Sequence, residues 1–261
     1  MTPGDLGIYD PDYVAAHAPW LRRVLHGWFR ARIEGMSRLP DGVFVAVGNH
    51  SGGLLIPDTL VWMAAYHTAG RDVPLLALAH DAMFDSFPQP LARAVARLGA
   101  VRADFELARE ALDRGFAVQV YPGGDLDACR SFRDRNRIVF AGRTGYAALA
   151  IDAGVPIVPV VSIGGHETLL MLSSGAGIAQ RFEVLRRRRL TTFPITVSLP
   201  WGLWIGPTPG YLPLPSRIVV RVLDPIPTAN QSAERLDTLV RERLQRALDE
   251  LAAERRLPIW G

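Results

Sequence analysis

The strongest constraint on the fold is an alternation of short apolar runs, most of them ending in glycine, proline or histidine, with longer amphipathic stretches. Val43 to Val47 reads as a buried strand that delivers Gly48-Asn49-His50, and a helix follows from Pro57 to Ala69. Pro74 to Ala79 is a second apolar strand ending at His80-Asp81, and Pro90 to Leu98 is a helix stopped by Gly99. Asp104 is placed to cap a helix running to Arg114, with Gly115 just past its end. Ala117 to Tyr121 is a strand broken at Pro122-Gly123-Gly124, Tyr146 to Ala153 is helical, and Val155 to Ser162 is another buried strand. Strands that are apolar on both faces predict a mostly parallel α/β sheet flanked by helices on both faces. Such sheets place ligand sites at the carboxyl ends of their strands. His50, His80, Pro122-Gly123-Gly124-Asp125 and Gly164-Gly165-His166 all fall at such ends and are read as one site.

The flanks differ from this core. Residues 1–40 are expected to form an N-terminal amphipathic helical segment, and 41–261 the α/β domain. From Pro19 to Arg32, Trp20, Leu21, Val24, Leu25, Trp28 and Phe29 recur at helical spacing among arginines. That pattern suits a helix packed on its own domain or one lying in a membrane interface. Arg186 to Arg189 are four arginines in a row, and Thr191 to Ser216 has no charged residue but six prolines and two tryptophans. Proline at that density forbids a continuous helix. A basic cluster beside an uncharged aromatic loop suits either a wrap over the core or a membrane-apposed surface, which makes residues 19–32 and 186–216 the expected membrane contacts. Arg217 to Val222 reads as a last strand and Ser232 to Arg255 as a long amphipathic helix.

Composition narrows the function classes. The 261 residues suffice for one large α/β domain. The single Cys129 excludes an intramolecular disulfide and a cysteine-rich metal site. The net charge is only +3, all 29 basic side chains are arginine, and acids nearly balance them, so no nucleic-acid partner is expected. The first residues lack the basic and apolar regions of a signal peptide, and no uncharged apolar run is long and proline-free enough to span a bilayer. The expected location is therefore peripheral, on the cytoplasmic face of a membrane.

His50 follows a buried strand and precedes Ser51-Gly52-Gly53, whose bare backbone lets a ligand approach. Imidazole is suited to take a hydroxyl proton near neutral pH, and works best with a carboxylate on its other nitrogen. Asp58, eight positions on, is the expected partner, with Asp81 or Asp85 as alternatives. Pro122-Gly123-Gly124 offers backbone N–H groups for an oxyanion, Asp125 a carboxylate for a substrate hydroxyl, and Arg130 and Arg133 guanidinium groups for phosphate. Asp125-Leu126-Asp127 also imitates a metal-binding pair of acids, a spacing frequent by chance.

Four blocks stand in a fixed order: Gly48-Asn49-His50-Ser51-Gly52-Gly53, Leu98 to Asp104, Tyr121-Pro122-Gly123-Gly124, and Val155-Pro156-Ile157-Val158-Pro159-Val160. Together they resemble the lysophospholipid and glycerolipid acyltransferase family, over roughly residues 40 to 225. The third block resembles the Pro-Gly-Gly form of the diacylglycerol and phytyl ester branch. The resemblance implies acyl transfer from acyl-CoA or an acyl carrier protein to a lipid hydroxyl, with His50 as general base and no metal or organic cofactor. It assigns Asn49, Ser51, Gly52, Gly53, Arg102, Pro122, Gly123, Gly124, Asp125 and Arg130 to substrate binding, and gives Cys129 no role. Two departures accompany it. The family's aspartate five positions after the histidine is Leu55 here, and the glutamate of its third block is Gly123. A neutral acceptor thereby gains over a phosphate-bearing one. The alternatives are an acyl-CoA hydrolase and a non-catalytic lipid-binding protein.

Overall fold

The computed structural model describes residues 2–181, 191–208 and 210–255. Its centre is a seven-stranded sheet of β1 (Arg32–Glu34), β2 (Val45–Gly48), β3 (Leu75–Ala79), β4 (Ala100–Arg102), β5 (Ala117–Val120), β6 (Ile157–Ile163) and β10 (Val219–Val222), in the order β1-β10-β6-β2-β5-β3-β4. Every neighbouring pair is parallel except β10 with β6. A second, three-stranded antiparallel sheet is built from β7 (Leu170–Ser173), β8 (Ile195–Ser198) and β9 (Gly202–Ile205).

The double-sided burial that the apolar runs predict is visible residue by residue. Phe44 and Ala46 enter one core, with Phe29, Trp62, Leu75 and Val220, beneath helices α1 (Pro11–Trp28) and α2 (Pro57–His67). Val45 and Val47 enter the other, with Leu76, Val118, Ala147 and Leu244. That second face is covered by α5 (Phe105–Asp113), α7 (Gly145–Asp152) and the long helix α9 (Ala233–Glu254). Full burial of a side chain the size of Phe44 or Leu76 stabilises the fold by about 1.5–3 kcal/mol. The remaining helices are short: α3 (Ala82–Asp85), α4 (Gln89–Arg97), α6 (Gly124–Ala128) and α8 (Ala176–Ala179).

One sequence expectation is corrected. The first helix starts eight residues before the Pro19 boundary, at Pro11, because the Asp10 side chain caps it by accepting from the Tyr13 N–H at 2.9 Å and proline is compatible with the first turn. It stops at Trp28, and Arg32 already belongs to β1. The proline-rich stretch from Thr191 contains no continuous helix among its described residues, but it does contain strands that the sequence reading did not name. Its prolines sit outside the two runs Ile195–Ser198 and Gly202–Ile205, which pair as strands β8 and β9. Arg186 to Arg189 lie outside the described residues. Among those described, no helix is long and apolar enough to cross a membrane.

Candidate active site

Strands β6, β2 and β5 are neighbours in the sheet, so the segments that follow them meet at its carboxyl edge. After β2 the chain turns sharply through Gly52 at φ +83°, where a Cβ would lie 2.4 Å from the Pro57 ring. Only glycine fits there. The turn carries the chain from His50 straight to α2, whose first turn contains Asp58. A carboxylate in that position is also favoured by the helix dipole.

His50 Nδ1 is 3.5 Å from Oδ2 of Asp58 and 3.3 Å from the Thr59 hydroxyl. Asp58 is buried, and its Oδ2 also accepts from the Ser162 hydroxyl at 3.4 Å. The imidazole stacks on Tyr121, with ring centroids 4.3 Å apart. Burial and, secondarily, the Asp58 charge hold the Tyr121 phenol well above its ordinary pKa, so it stays a neutral platform. The carboxylate beside His50 is therefore Asp58. Asp81 and Asp85, the alternatives from sequence, are both bound by Arg102.

The other expected site residues divide by what their polar groups already hold. Asn49 exchanges two 2.8 Å bonds with the backbone of Ser162, stitching the end of β2 to β6. Ser51 is buried against Gly165, where a Cβ would come within 2.0 Å of its hydroxyl. Gly53, at φ +66°, faces Leu169, and Tyr211 donates to the neighbouring Gly52 carbonyl at 2.6 Å. Arg102 donates to Asp85 at 2.6 Å and Asp81 at 3.0 Å. Asp125 accepts from the Thr191 N–H at 2.6 Å, the Thr191 hydroxyl at 2.7 Å and the Thr192 hydroxyl at 3.4 Å. Arg130 is buried and donates to Asp127, His166 and the Arg137 carbonyl. Each of these last three side chains is engaged by protein groups, though the buried Nε of Arg130 has no partner among the described residues.

At the Pro122-Gly123-Gly124 turn, the Arg143 guanidinium donates to the Pro122 carbonyl at 3.1 Å. The Gly124 N–H is spent on the Tyr121 carbonyl at 3.0 Å, which corrects the expectation of two amide donors in the turn. No described residue accepts from the Gly123 N–H. His80 does not join the site. It follows β3, beyond β5 from β2, and accepts from the Ala82 N–H at 3.1 Å. Cys129 is buried, and burial pushes its thiol up to about 11, so it is a packing residue and not a ready thiolate. Sequence reasoning missed Asp127 as a contact of His50 and gave His166 no defined task. Asp127 lies in the short helix α6 and His166 on a turn, and nothing in their spacing distinguishes them from surface side chains.

A histidine backed by a buried carboxylate thus stands beside a glycine turn at the carboxyl edge of a mostly parallel sheet. Residues 30–163, half of the chain, match the profile of the Acyltransferase family, and the chain belongs to that family. A protein of Mycobacterium tuberculosis, itself uncharacterised, is 32% identical over 97% of this chain and 70% of its own length. Its counterpart in Mycobacterium leprae is 31% identical over 97% of this chain and 69% of its own. A Gallus gallus protein named as a DGAT1/2-independent enzyme synthesizing storage lipids is 31% identical over 57% of this chain and 39% of its own. In fold, the chain is similar to PlsC, the 1-acyl-sn-glycerophosphate acyltransferase of Thermotoga maritima, with a TM-score of 0.59, 19% identity, and coverage of 92% of this chain and 80% of that one. The expectations of family and of a helix-flanked, mostly parallel sheet are borne out.

Proposed function

We propose that this acyltransferase moves a fatty acyl group from a thioester, acyl-CoA or acyl carrier protein, to the hydroxyl of a neutral glycerolipid or related lipid alcohol. The observation that carries the reading is the 3.5 Å approach of His50 Nδ1 to the buried Asp58 carboxylate. With Nδ1 facing Asp58, the hydroxyl docks on Nε2, which no described residue hydrogen-bonds. As the hydroxyl oxygen attacks the thioester carbonyl, Nε2 takes its proton, and Asp58 stabilises the imidazolium that forms. The tetrahedral oxyanion is held by the Gly123 N–H. Collapse breaks the carbon–sulfur bond, and the departing thiolate recovers the proton from His50. No acyl-enzyme and no cofactor enter this sequence.

A neutral acceptor is supported by two of the three arginines from which phosphate binding was expected, since Arg102 and Arg130 are both held by carboxylates, whereas Arg133 is exposed. The storage-lipid name of the chicken relative points the same way. Membrane attachment is supported by the small sheet, which is built inside out. Thr196 and Ser198 face inward and are buried, while Val197, Leu203 and Ile205 face outward, the last two 64% and 59% exposed. The indoles of Trp201 and Trp204 donate to the Gly210 and Pro207 carbonyls, so neither N–H needs water. On α1, Trp20, Val24 and Trp28 are exposed, and Trp28 donates to the Pro213 carbonyl at 3.0 Å, joining that helix to the same surface. An outward apolar face in a segment without charges fits the acyl region of a bilayer.

The test is a mass-spectrometric screen of lipid acceptors with a long-chain acyl-CoA, run beside His50→Ala. Transfer to a neutral lipid that falls by about 10²–10⁴-fold in the variant is the expected outcome. Near-normal turnover by the variant would reject His50 as the base. Donor consumption undiminished without any lipid would make water the acceptor.

A further inference from the structure

The peptide of His50 meets two buried polar side chains. Its N–H donates to Oδ2 of Asp127 at 2.5 Å, and its backbone also interacts with the His166 ring. Arg130 bridges the two holders. It donates to Oδ1 of Asp127 and, at 2.8 Å, to Nε2 of His166. A guanidinium has no acceptor, so Nε2 of His166 accepts, and the ring proton sits on Nδ1. The group it meets on His50 is therefore the carbonyl. Burial first, and then the Arg130 charge, keep the His166 imidazole neutral by pushing its pKa well below the ordinary value. Hydrogen bonds thus run from the His50 amide through Asp127 and Arg130 to His166.

All three holders are buried, with Asp127 at 0% exposure. A Cβ at residue 123 would fall 2.1 Å from the Val139 carbonyl oxygen and 2.3 Å from the Asp127 Cβ, so the bare glycine is what gives Asp127 its place. The Val139 N–H adds a third donor to the carboxylate at 3.3 Å. A buried ion pair is a poor way to gain stability, because desolvation offsets most of its attraction. An apolar filler would serve the core as well. What an apolar filler cannot do is bond the amide of His50.

We propose that Asp127, Arg130 and His166 are positioning residues, a buried clamp on the His50 peptide that sets where the imidazole stands between Asp58 and the substrate. Arg130 belongs to this frame and is not a phosphate ligand. The catalytic part of the proposal rests on His50 being the general base.

The test replaces the pair by apolar residues of similar volume, Asp127→Leu together with Arg130→Met, and reads two quantities. The first is independent of activity. In the wild-type protein the His50 amide proton, donated to a desolvated carboxylate, is expected far downfield and protected from exchange, and in the double variant it moves upfield by more than about 1 ppm. The second is kinetic. A displacement of the imidazole by an ångström is expected to lower kcat by about 100-fold, with both KM values within about twofold. Should the double variant not fold, His166→Phe keeps Asp127 and Arg130 but removes the acceptor for Arg130 and the ring N–H that meets the carbonyl, and is expected to lower kcat by about tenfold, again at unchanged KM. An unshifted His50 amide, or kcat within twofold of wild type in a folded variant, overturns the clamp. If the wild-type protein itself acylates no acceptor, the acyl-transfer reading is what fails, and the amide resonance decides the clamp alone.

Discussion

Nδ1 of His50 and Oδ2 of Asp58 approach to 3.5 Å across a turn that contains three left-handed residues, Gly52, Gly53 and Ile56. A β-branched residue such as Ile56 reaches φ +40° only against a steric cost, of about 1–3 kcal/mol. The turn absorbs the three positions by which this histidine–aspartate spacing exceeds the family's five, eight minus five. Asp58→Asn tests the pair. An amide can donate into Nδ1 and favour the wrong tautomer, so kcat is expected to fall by about 10³–10⁴-fold. Oδ1 of Asp58 is buried without a partner, so the melting temperature is expected to hold or rise. A variant with kcat within tenfold of wild type would remove Asp58 from the mechanism.

The second prediction concerns acceptor choice. Arg102 is neutralised by Asp81 and Asp85 at the end of β4. Asp81→Asn with Asp85→Asn leaves a guanidinium with no carboxylate to hold. Turnover of a phosphate-bearing acceptor relative to a neutral one is expected to rise roughly tenfold, the value of one charge-assisted hydrogen bond. These groups are exposed enough that the thermal midpoint is expected to stay put. A ratio that does not move shows that Arg102 does not face the acceptor.

How much of this was legible in the sequence follows from what each signal encodes. The runs around Val45, Val118 and Val158 are apolar on both faces, and that fixed the sheet class and located His50 at a strand end. Asp104 was readable as a cap because capping is local, and it accepts from the backbone N–H three residues on, as Ser232 also does at the start of the last helix. The short edge strands at Arg32 and Ala100, and the antiparallel hairpin at Ile195–Ile205, were not readable. Edge strands need little apolar sequence, and an inside-out hairpin reverses the usual burial pattern. The same limit applies to the site. Local spacing pointed to Asp58, but the partners of Arg102 and Asp125, and the His166 that meets Arg130, come from segments brought together only by the fold, and a sequence does not show which arginines already hold a carboxylate.

The small sheet yields a third prediction. Leu203→Glu and Ile205→Glu each put a charge on its outward face without touching the His50 region. Binding to lipid vesicles, measured by sedimentation, is expected to drop roughly tenfold or more for each, from lost apolar burial alone. Turnover of a short-chain, water-soluble donor and acceptor is expected to be unchanged. Vesicle binding unaltered in both variants would show that this face meets something other than lipid.

The last prediction turns on pH and on His67, which lies at the end of α2 between Tyr9 and Tyr66, with Nε2 buried and unpartnered. Burial lowers its pKa from 6.5 to about 4. The unfolded chain therefore binds a proton over that interval that the folded chain refuses. The stabilising contribution of a neutral His67 is fully present above pH 6.5 and is lost as pH falls toward 4. Between about pH 7.5 and about pH 5 the loss amounts to up to about 2 kcal/mol. Asp127 works in the opposite sense, since burial raises its pKa from 3.8 to about 6 and its contribution weakens as pH rises through the same window. Comparing wild type with His67→Phe, which keeps the aromatic contacts, cancels Asp127 and isolates the histidine. Urea unfolding is expected to show a smaller difference between the two pH values in the variant than in wild type, with the variant gaining most at the acid end. Equal differences in the two proteins would mean that the folded chain accommodates a charged imidazole at that position.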